Sequence, residues 1–382
     1  MKIAVPRERA PGERRVALVP ETAGKFVKAG ITVAVERDAG RAAGFLDEAY
    51  AAAGAIVAAD EGATVADADI VVRVNKPSDA ELNGLKRGAI LVGFLAPLGD
   101  PRSVERYALR GLTALSMDAI PRTTKAQAMD ALSSQANIGG YKAALIAANT
   151  LAKFFPMLTT AAGTIKPAKA LIIGAGVAGL QAIATCRRLG AVVTAYDTRP
   201  VVKEQVQSLG AKFLEIDVGE SGEGQGGYAR ELSPEAIEKQ RLGMIKAIGA
   251  SDVVITTAAV PGRCAPILIT KEAVAAMAPG SVIVDLAAET GGNCELTVTG
   301  ETIASPNGVT IVGTVNLPST VATDASQLYS KNVQTLLEYF IKDATIALDM
   351  TDEIIAGTTL VHDGTIVHKP TLDALAAAKG SA

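Results

Sequence analysis

Residues 170–197 read ALIIGAGVAGLQAIATCRRLGAVVTAYD. An apolar run opens the stretch. Three glycines follow as G-x-G-x-x-G at Gly174, Gly176 and Gly179, then a helical pattern, then a second apolar run ending on Asp197. Strand, glycine turn, helix, strand and acid in that order form the opening of a Rossmann βαβ unit. Gly174 permits the tight turn. Gly176 lets the backbone approach a pyrophosphate with no Cβ in the way, and Gly179 allows close packing of helix on strand. The helix N-terminus then offers free N–H groups and a partial positive charge to phosphates. Asp197, 23 residues beyond Gly174, accepts hydrogen bonds from adenine ribose hydroxyls and repels a 2′-phosphate, which favours NAD over NADP. Arg199 beside it is the residue type that serves a 2′-phosphate. A glycine-rich turn without function is the competing reading, and the ordered context argues against it.

The same rhythm extends on both sides. From Lys169 onward the strands read ALIIG, AVVTAYD, AKFLEID, DVVITTA, SVIVDLA and TIVGTVN. The first 120 residues alternate KIAVP, ITVAVE, AIVAA, DIVVRV, AILVGFLAP and LTALSMD with helix candidates such as Thr22–Ala29 and Ser103–Arg110. Strands alternating with helices imply parallel sheets covered on both faces. That first half has no glycine fingerprint. Between the halves lie the polar segment PRTTKAQAMD, Pro121–Asp130, and a long helix candidate from Ser134 to Phe155, stopped by Pro156. Its apolar stripe reads Ile138, Tyr141, Leu145, Ala148, Ala152 and Phe155, and Gly139–Gly140 within it implies close packing on another element. A second long helix runs from Ala325 to Asp343, with Leu328, Val333, Leu336, Leu337 and Phe340 as apolar members. TTLVHDGTIVH at the end reads as a hairpin turning at Asp363–Gly364.

A chain of 382 residues is too long for one ordinary core. The expected architecture is α/β: two Rossmann-like, doubly wound parallel-sheet domains linked by long helices, with the NAD site in the interdomain cleft. Residues 1–130 plus 325–382 form a discontinuous first domain, and 131–324 the NAD(H)-binding domain. Net charge is −3 with both signs interspersed, which excludes a nucleic-acid footprint of clustered Lys and Arg. Cys186, Cys264 and Cys294 are far apart, with no metal spacing, and read as thiols in a reducing cytosol. The opening residues lack the apolar run of a signal peptide. The apolar, uncharged run Ala170–Cys186 is a Rossmann start rather than a membrane span.

A dehydrogenase acting on an alcohol, keto acid or amine needs a positioned acid or base, most often His. The two histidines, His362 and His368, sit in the terminal hairpin and read as ordinary residues. Arg15 and Lys76 read either as anion binders or as solvated charges at strand ends. Hydride transfer between two nicotinamide rings needs no proton relay, only rings held together. One fingerprint supplies one nucleotide, so the second comes from another chain.

The sequence resembles the NAD(H)-binding alpha subunit, domain I, of the proton-translocating nicotinamide nucleotide transhydrogenases, and more distantly the alanine dehydrogenases. The resemblance runs over essentially the whole length and is carried by RVALVPE (Arg15–Glu21), PRTTKAQAMDALSSQANIGGYKA (Pro121–Ala143), TAAGTIKPAKALIIGAGVAGLQAIATCRRLGA (Thr160–Ala191) and VIVDLAAETGGNCE (Val282–Glu295). It implies that Arg122, Gln127, Asp130 and Ser133 surround the nicotinamide end. Gln127 would reach toward the partner's NADP(H), and the other three would orient the NAD(H) ring and its ribose. Without the resemblance, this segment reads as a solvated linker. The Gly-rich stretch Gly219–Glu235 matches the family's mobile lid, which carries a cofactor role over to Gly227 and Tyr228. Val177, Thr198, Arg199, Gln240 and Ala259 are further implied neighbours of the cofactor.

The resemblance also implies partners: an NADP(H)-binding subunit, membrane-spanning subunits that pass the proton, and a second copy of this chain as a homodimer. It implies no transmembrane segment of the chain's own. The location expected is cytoplasmic, peripheral to the inner membrane through those partners. Two alternatives compete. In an alanine-type dehydrogenase the strand motif LVGFLAP carries an acid His. Phe94 stands there and cannot donate a proton, a loss worth about 10²–10⁴-fold in that chemistry. Glu289 takes the place of that family's Asp, while Arg15 and Lys76 match its substrate-anion residues, so an ancestral pocket is an expectation to check. The other alternative is a non-catalytic NAD-binding or sensor module.

Overall fold

The computed structural model describes residues 1–216, 233–259 and 262–380. The chain divides into two compact units, Met1–Gln135 with Pro318–Ala382, and Ala136–Leu317. The sequence reading places the two divisions at 130/131 and 324/325.

In the first unit eight strands form one sheet, in the order Thr365–Ile366, Thr359–His362, Thr113–Ser116, Ile90–Phe94, Ile70–Asn75, Lys2–Val5, Thr32–Glu36, Ile56–Ala58. The last six in that order are parallel. Ile70 to Val74 are at most 2% exposed, which is why this strand reads as a continuous apolar run with one embedded Arg rather than an alternation. The two C-terminal strands are antiparallel. Asp363 and Gly364 join them at φ 45° and 77°, the left-handed pair that a two-residue type I′ turn requires.

The Ala322–Phe340 helix lies wholly in this unit. Tyr329, Val333, Leu336, Leu337 and Phe340, all 0–1% exposed, pack into its core. Leu328, expected on that face, is 38% exposed. The buried members fall at i, i+4, i+7, i+8 and i+11, one helical stripe that Leu328 misses by one residue. Tyr329 replaces it, and its hydroxyl donates to the Arg73 carbonyl at 2.7 Å.

The segment Arg15–Val19 is buried without regular structure. Buried backbone groups need partners. The N–H groups of Arg14, Val16 and Val19 donate to the hydroxyls of Ser319, Ser326 and Ser330 at 2.7, 3.0 and 3.0 Å.

The second unit carries a seven-stranded sheet in the order Lys212–Phe213, Val192–Tyr196, Lys169–Ile173, Val253–Thr256, Val282–Asp285, Thr310–Gly313, Thr302–Ala304. All pairs are parallel except the last. The antiparallel edge strand Thr302–Ala304 is not among the strands expected from sequence. Strand progression reverses between Lys169–Ile173 and Val253–Thr256, so the crevice for a ligand lies beyond the carboxyl ends of that pair.

The long helix spans Ala131–Thr150, not 134–155. Phe155, biased away from helical angles by Pro156, follows in irregular chain and is 4% exposed. The expected stripe is also corrected. Tyr141 is 40% exposed, and the buried positions are Ala131, Gln135, Ile138, Gly139, Gly140, Ala143, Ala144 and Ala147. A Cβ on Gly140 would sit 2.0 Å from the Ala178 carbonyl oxygen. Backbone meets backbone there, so the smallest residues choose the buried face. Gly140→Ala is therefore expected to cost about 2 kcal/mol, a Tm lower by roughly 4–8 °C for a unit of this size. Thermal unfolding monitored by circular dichroism checks it.

Candidate functional site

The glycine turn has the shape its sequence requires. Gly174 adopts φ 94° and its N–H donates to the Tyr196 carbonyl at 2.8 Å. A Cβ on Gly179 would fall 1.8 Å from the Gly174 oxygen, whereas one on Gly176 would meet nothing within 4 Å. Gly179 is thus a packing glycine. Gly176 borders open space at the N-terminus of the Val177–Arg188 helix, where a pyrophosphate fits against free N–H groups. Val177, the first helical residue, is 41% exposed.

Asp197 follows the Val192–Tyr196 strand, with its side chain 7% exposed. It accepts from the Ala175 N–H at 2.7 Å and from the Arg199 N–H at 2.9 Å. The Arg199 guanidinium grips both carboxylate oxygens at 3.0 Å. Burial alone would raise the Asp197 pKa, but the hydrogen bonds from Arg199 and Ala175 outweigh it and hold the acid below its ordinary value. A full negative charge therefore stands beside the turn, oriented by the turn's own backbone. Thr198 beside it is exposed. Gln240 donates to the Tyr196 hydroxyl at 2.6 Å. Gly227 and Tyr228 lie outside the described residues.

Across the switch point, Thr257 N–H donates to Ile173 O at 2.9 Å and its hydroxyl to Gly174 O at 3.2 Å. Sequence reading misses this residue and two more. Asp285, fully buried, accepts from the N–H groups of Ala287, Asn293 and Cys294 and from the Thr297 hydroxyl at 2.6–3.0 Å. Asn293, also fully buried, contacts Thr256, Ala258 and Pro266. The only signal for either is a polar residue inside VIVDLAAETGGNCE. Ala259 is exposed next to this strip.

In the first unit PRTTKAQAMD is not a solvated linker. Residues Thr124–Met129 form a 3-10 helix anchored by Ala126 and Met129, which are 1% and 2% exposed. Asn332 donates to the Ala128 carbonyl at 2.9 Å, and its own Oδ1 accepts from Ser134 at 2.7 Å. Asp130 accepts from the Ser133 N–H at 2.9 Å and from its hydroxyl at 2.5 Å, capping the long helix. Asp130 and Ser133 are thus directly joined. Arg122 and Gln127 are exposed on the same segment.

The expected anion groups are already neutralised. Arg15 is no solvated charge: it is 6% exposed and bidentate to Glu13 at 2.7 and 2.8 Å, with Gln135 accepting at 2.9 Å. Burial works to raise the Glu13 pKa, but Arg15 and the Asn75 amide overcome it and bring it down to about 2. Lys76 pairs with Asp100 at 2.6 Å. Phe94 stacks at a tilt on Tyr329, with centroids 5.1 Å apart. His368 shares a 2.7 Å hydrogen bond with the Thr371 hydroxyl. No cluster among the described residues has the ligands for a metal ion, and none of the described helices is long and apolar enough to cross a membrane. Cys186 and Cys294 are buried and Cys264 exposed, all three free.

Comparison with known proteins follows the same lines. The family model for the alanine dehydrogenase/PNT N-terminal domain matches residues 4–139, and that for the C-terminal domain residues 143–369. The NAD(P) transhydrogenase subunit alpha of Cereibacter sphaeroides is 48% identical, over 99% of this chain and 74% of that protein. The crystal structure of a transhydrogenase from Sinorhizobium meliloti superposes with a TM-score of 0.88 at 42% identity, covering 96% of this chain and all of that one. An L-alanine dehydrogenase superposes with a TM-score of 0.81 at 26% identity, covering 99% of each chain.

Proposed function

This chain belongs to the alanine dehydrogenase/PNT family, on its transhydrogenase side, and from that premise we propose that it is the subunit that holds NAD(H) while NADP(H) is held by a partner. When bound, the nicotinamide supplies the C4 position that gives or takes the hydride. The chain's own residues do the rest. The Val177 helix start receives the pyrophosphate, with Gly176 leaving room for it. Asp197 accepts from the ribose hydroxyls and disfavours a 2′-phosphate. Arg122, Asp130 and Ser133 orient the nicotinamide ribose and ring, and Gln127 reaches toward the partner's nucleotide.

The observation that carries this reading is the pairing of the open space at Gly176 with the buried, ionised Asp197. The rest of the chain leaves the alanine dehydrogenase reading poorly served. An apolar Phe94 stands in place of an acid, and both candidate anion groups, Arg15 and Lys76, are held by carboxylates. We further propose that the chain is a homodimer and docks on the inner membrane through membrane-spanning partner subunits that pass the proton.

The test mixes this chain with an NADP(H)-binding transhydrogenase component and follows hydride exchange between NADH and an NADP analogue. Exchange that depends on both proteins is expected. Its absence at saturating NADH sinks the reading, and turnover of pyruvate, ammonia and NADH by this chain alone would favour the alanine dehydrogenase alternative.

A further inference from the structure

Asn293 is fully buried and uses its whole hydrogen-bonding capacity. Its Oδ1 accepts from the Thr256 hydroxyl at 2.6 Å and from the Ala258 N–H at 3.1 Å. Its Nδ2 donates to the Ala258 carbonyl at 2.8 Å and to the Pro266 carbonyl at 2.9 Å. The amide thus holds Ala258 by both its N–H and its C=O. Asn293 is fixed in turn, since its own N–H donates to the buried Asp285 carboxylate at 2.8 Å. An asparagine whose four partners are all satisfied inside the protein defines one position for what it grips.

What it grips lies at the functional edge of the sheet. Val253–Thr256 is the strand beside Lys169–Ile173 on the side away from Val192–Tyr196. Asp197 follows Val192–Tyr196, so the adenine half of a dinucleotide belongs on that side of the glycine turn. The nicotinamide half then crosses the switch point and runs over the residues after Thr256. Thr257 and Ala258 are half-buried and Ala259 is exposed, so this backbone forms the floor on that side.

We propose that Asn293 is a positioning residue for the nicotinamide half of the dinucleotide, acting by clamping Ala258 and so fixing the Thr257–Ala259 floor. It rests on the NAD(H) reading given above. Its effect falls mainly on one half of the ligand: Asp197 and the Gly174–Gly176 turn make no hydrogen bond to Asn293 and hold one another through Ala175, and the Thr257 hydroxyl on Gly174 O is the link from the floor to that turn.

The experiment is isothermal titration of the full chain with NADH and, separately, with ADP-ribose, which keeps the adenylate and pyrophosphate but lacks the nicotinamide. Asn293→Asp keeps the size and the acceptor but loses both donations. NADH should bind it about tenfold more weakly, with ADP-ribose within about twofold of wild type. Thr256→Val removes a single contact to the same amide and should show the same split at about threefold for NADH, which keeps the test available if the Asp variant does not fold. Equal weakening of both ligands in a folded variant, or no change in NADH, overturns the assignment. A wild-type chain that binds neither ligand overturns the NAD(H) reading itself, a failure visible before any variant is made.

Discussion

An Asp197→Ala chain is expected to bind NADH about 10²–10³-fold more weakly and to lose its discrimination against NADPH. Two ribose hydroxyls donating to a carboxylate form charge-assisted hydrogen bonds, each worth about 1.5–3 kcal/mol. The carboxylate also accepts the Ala175 N–H inside the glycine turn, so its removal leaves a turn donor unpaired as well. The change in selectivity has its own cause. Arg199 is neutralised at both oxygens of Asp197 and 40% exposed. Once freed, it becomes a guanidinium able to pair with a 2′-phosphate, and the like-charge repulsion of that phosphate is gone. Fluorescence titration with NADH and NADPH reads both effects. Unchanged NADH affinity would mean that the adenine ribose lies elsewhere.

Gln127→Asn should lower hydride exchange with an NADP(H)-binding partner by about 10²-fold while leaving NADH affinity within about twofold. The substitution keeps the carboxamide and withdraws it by one methylene. Displacement of a positioning group by about 1 Å costs on the order of 10² in rate when the reacting centres must be held in line. The backbone beneath Gln127 does not yield to compensate. Ala126 and Met129 bury on either side of it, and Asn332 holds the Ala128 carbonyl. Stopped-flow transfer between NADH and an NADP analogue, alongside equilibrium NADH titration, separates the two effects. A large affinity loss with normal transfer would contradict the role given to Gln127.

The regions of this molecule legible in its sequence are those set by local rules. The strand–glycine–helix–strand order can be read because each glycine answers a short-range steric demand, and Gly174 and Gly179 meet those demands against Thr257 and each other. Asp363–Gly364 is readable because only a left-handed pair closes that hairpin. What escapes is set by distant partners. Periodicity weighs large side chains, so it puts Tyr141 on the buried face of the long helix. The face is chosen instead by the Gly140 contact with Ala178. The pairing of Arg15 with Glu13 is local in sequence, but its burial depends on Gln135 and on the Ser319, Ser326 and Ser330 hydroxyls more than 300 residues away. Asn293 and Asp285 carry no sequence signal as a pair. Their meaning comes from the loops they join.

The split of the first unit has a consequence for how the chain is made. Its N-terminal 135 residues present their sheet edge at Thr113–Ser116 and much of their apolar underside with no cover until Tyr329, Val333, Phe340 and the Thr359–His362 strand have been synthesised. The segment between them, 136–317, is contiguous and holds its own hydrophobic core. On the ribosome the later-coded lobe is therefore finished first, and the earlier-coded one waits as an aggregation-prone intermediate. A stop codon between residues 318 and 360 would leave a well-made nucleotide lobe attached to a half-built companion.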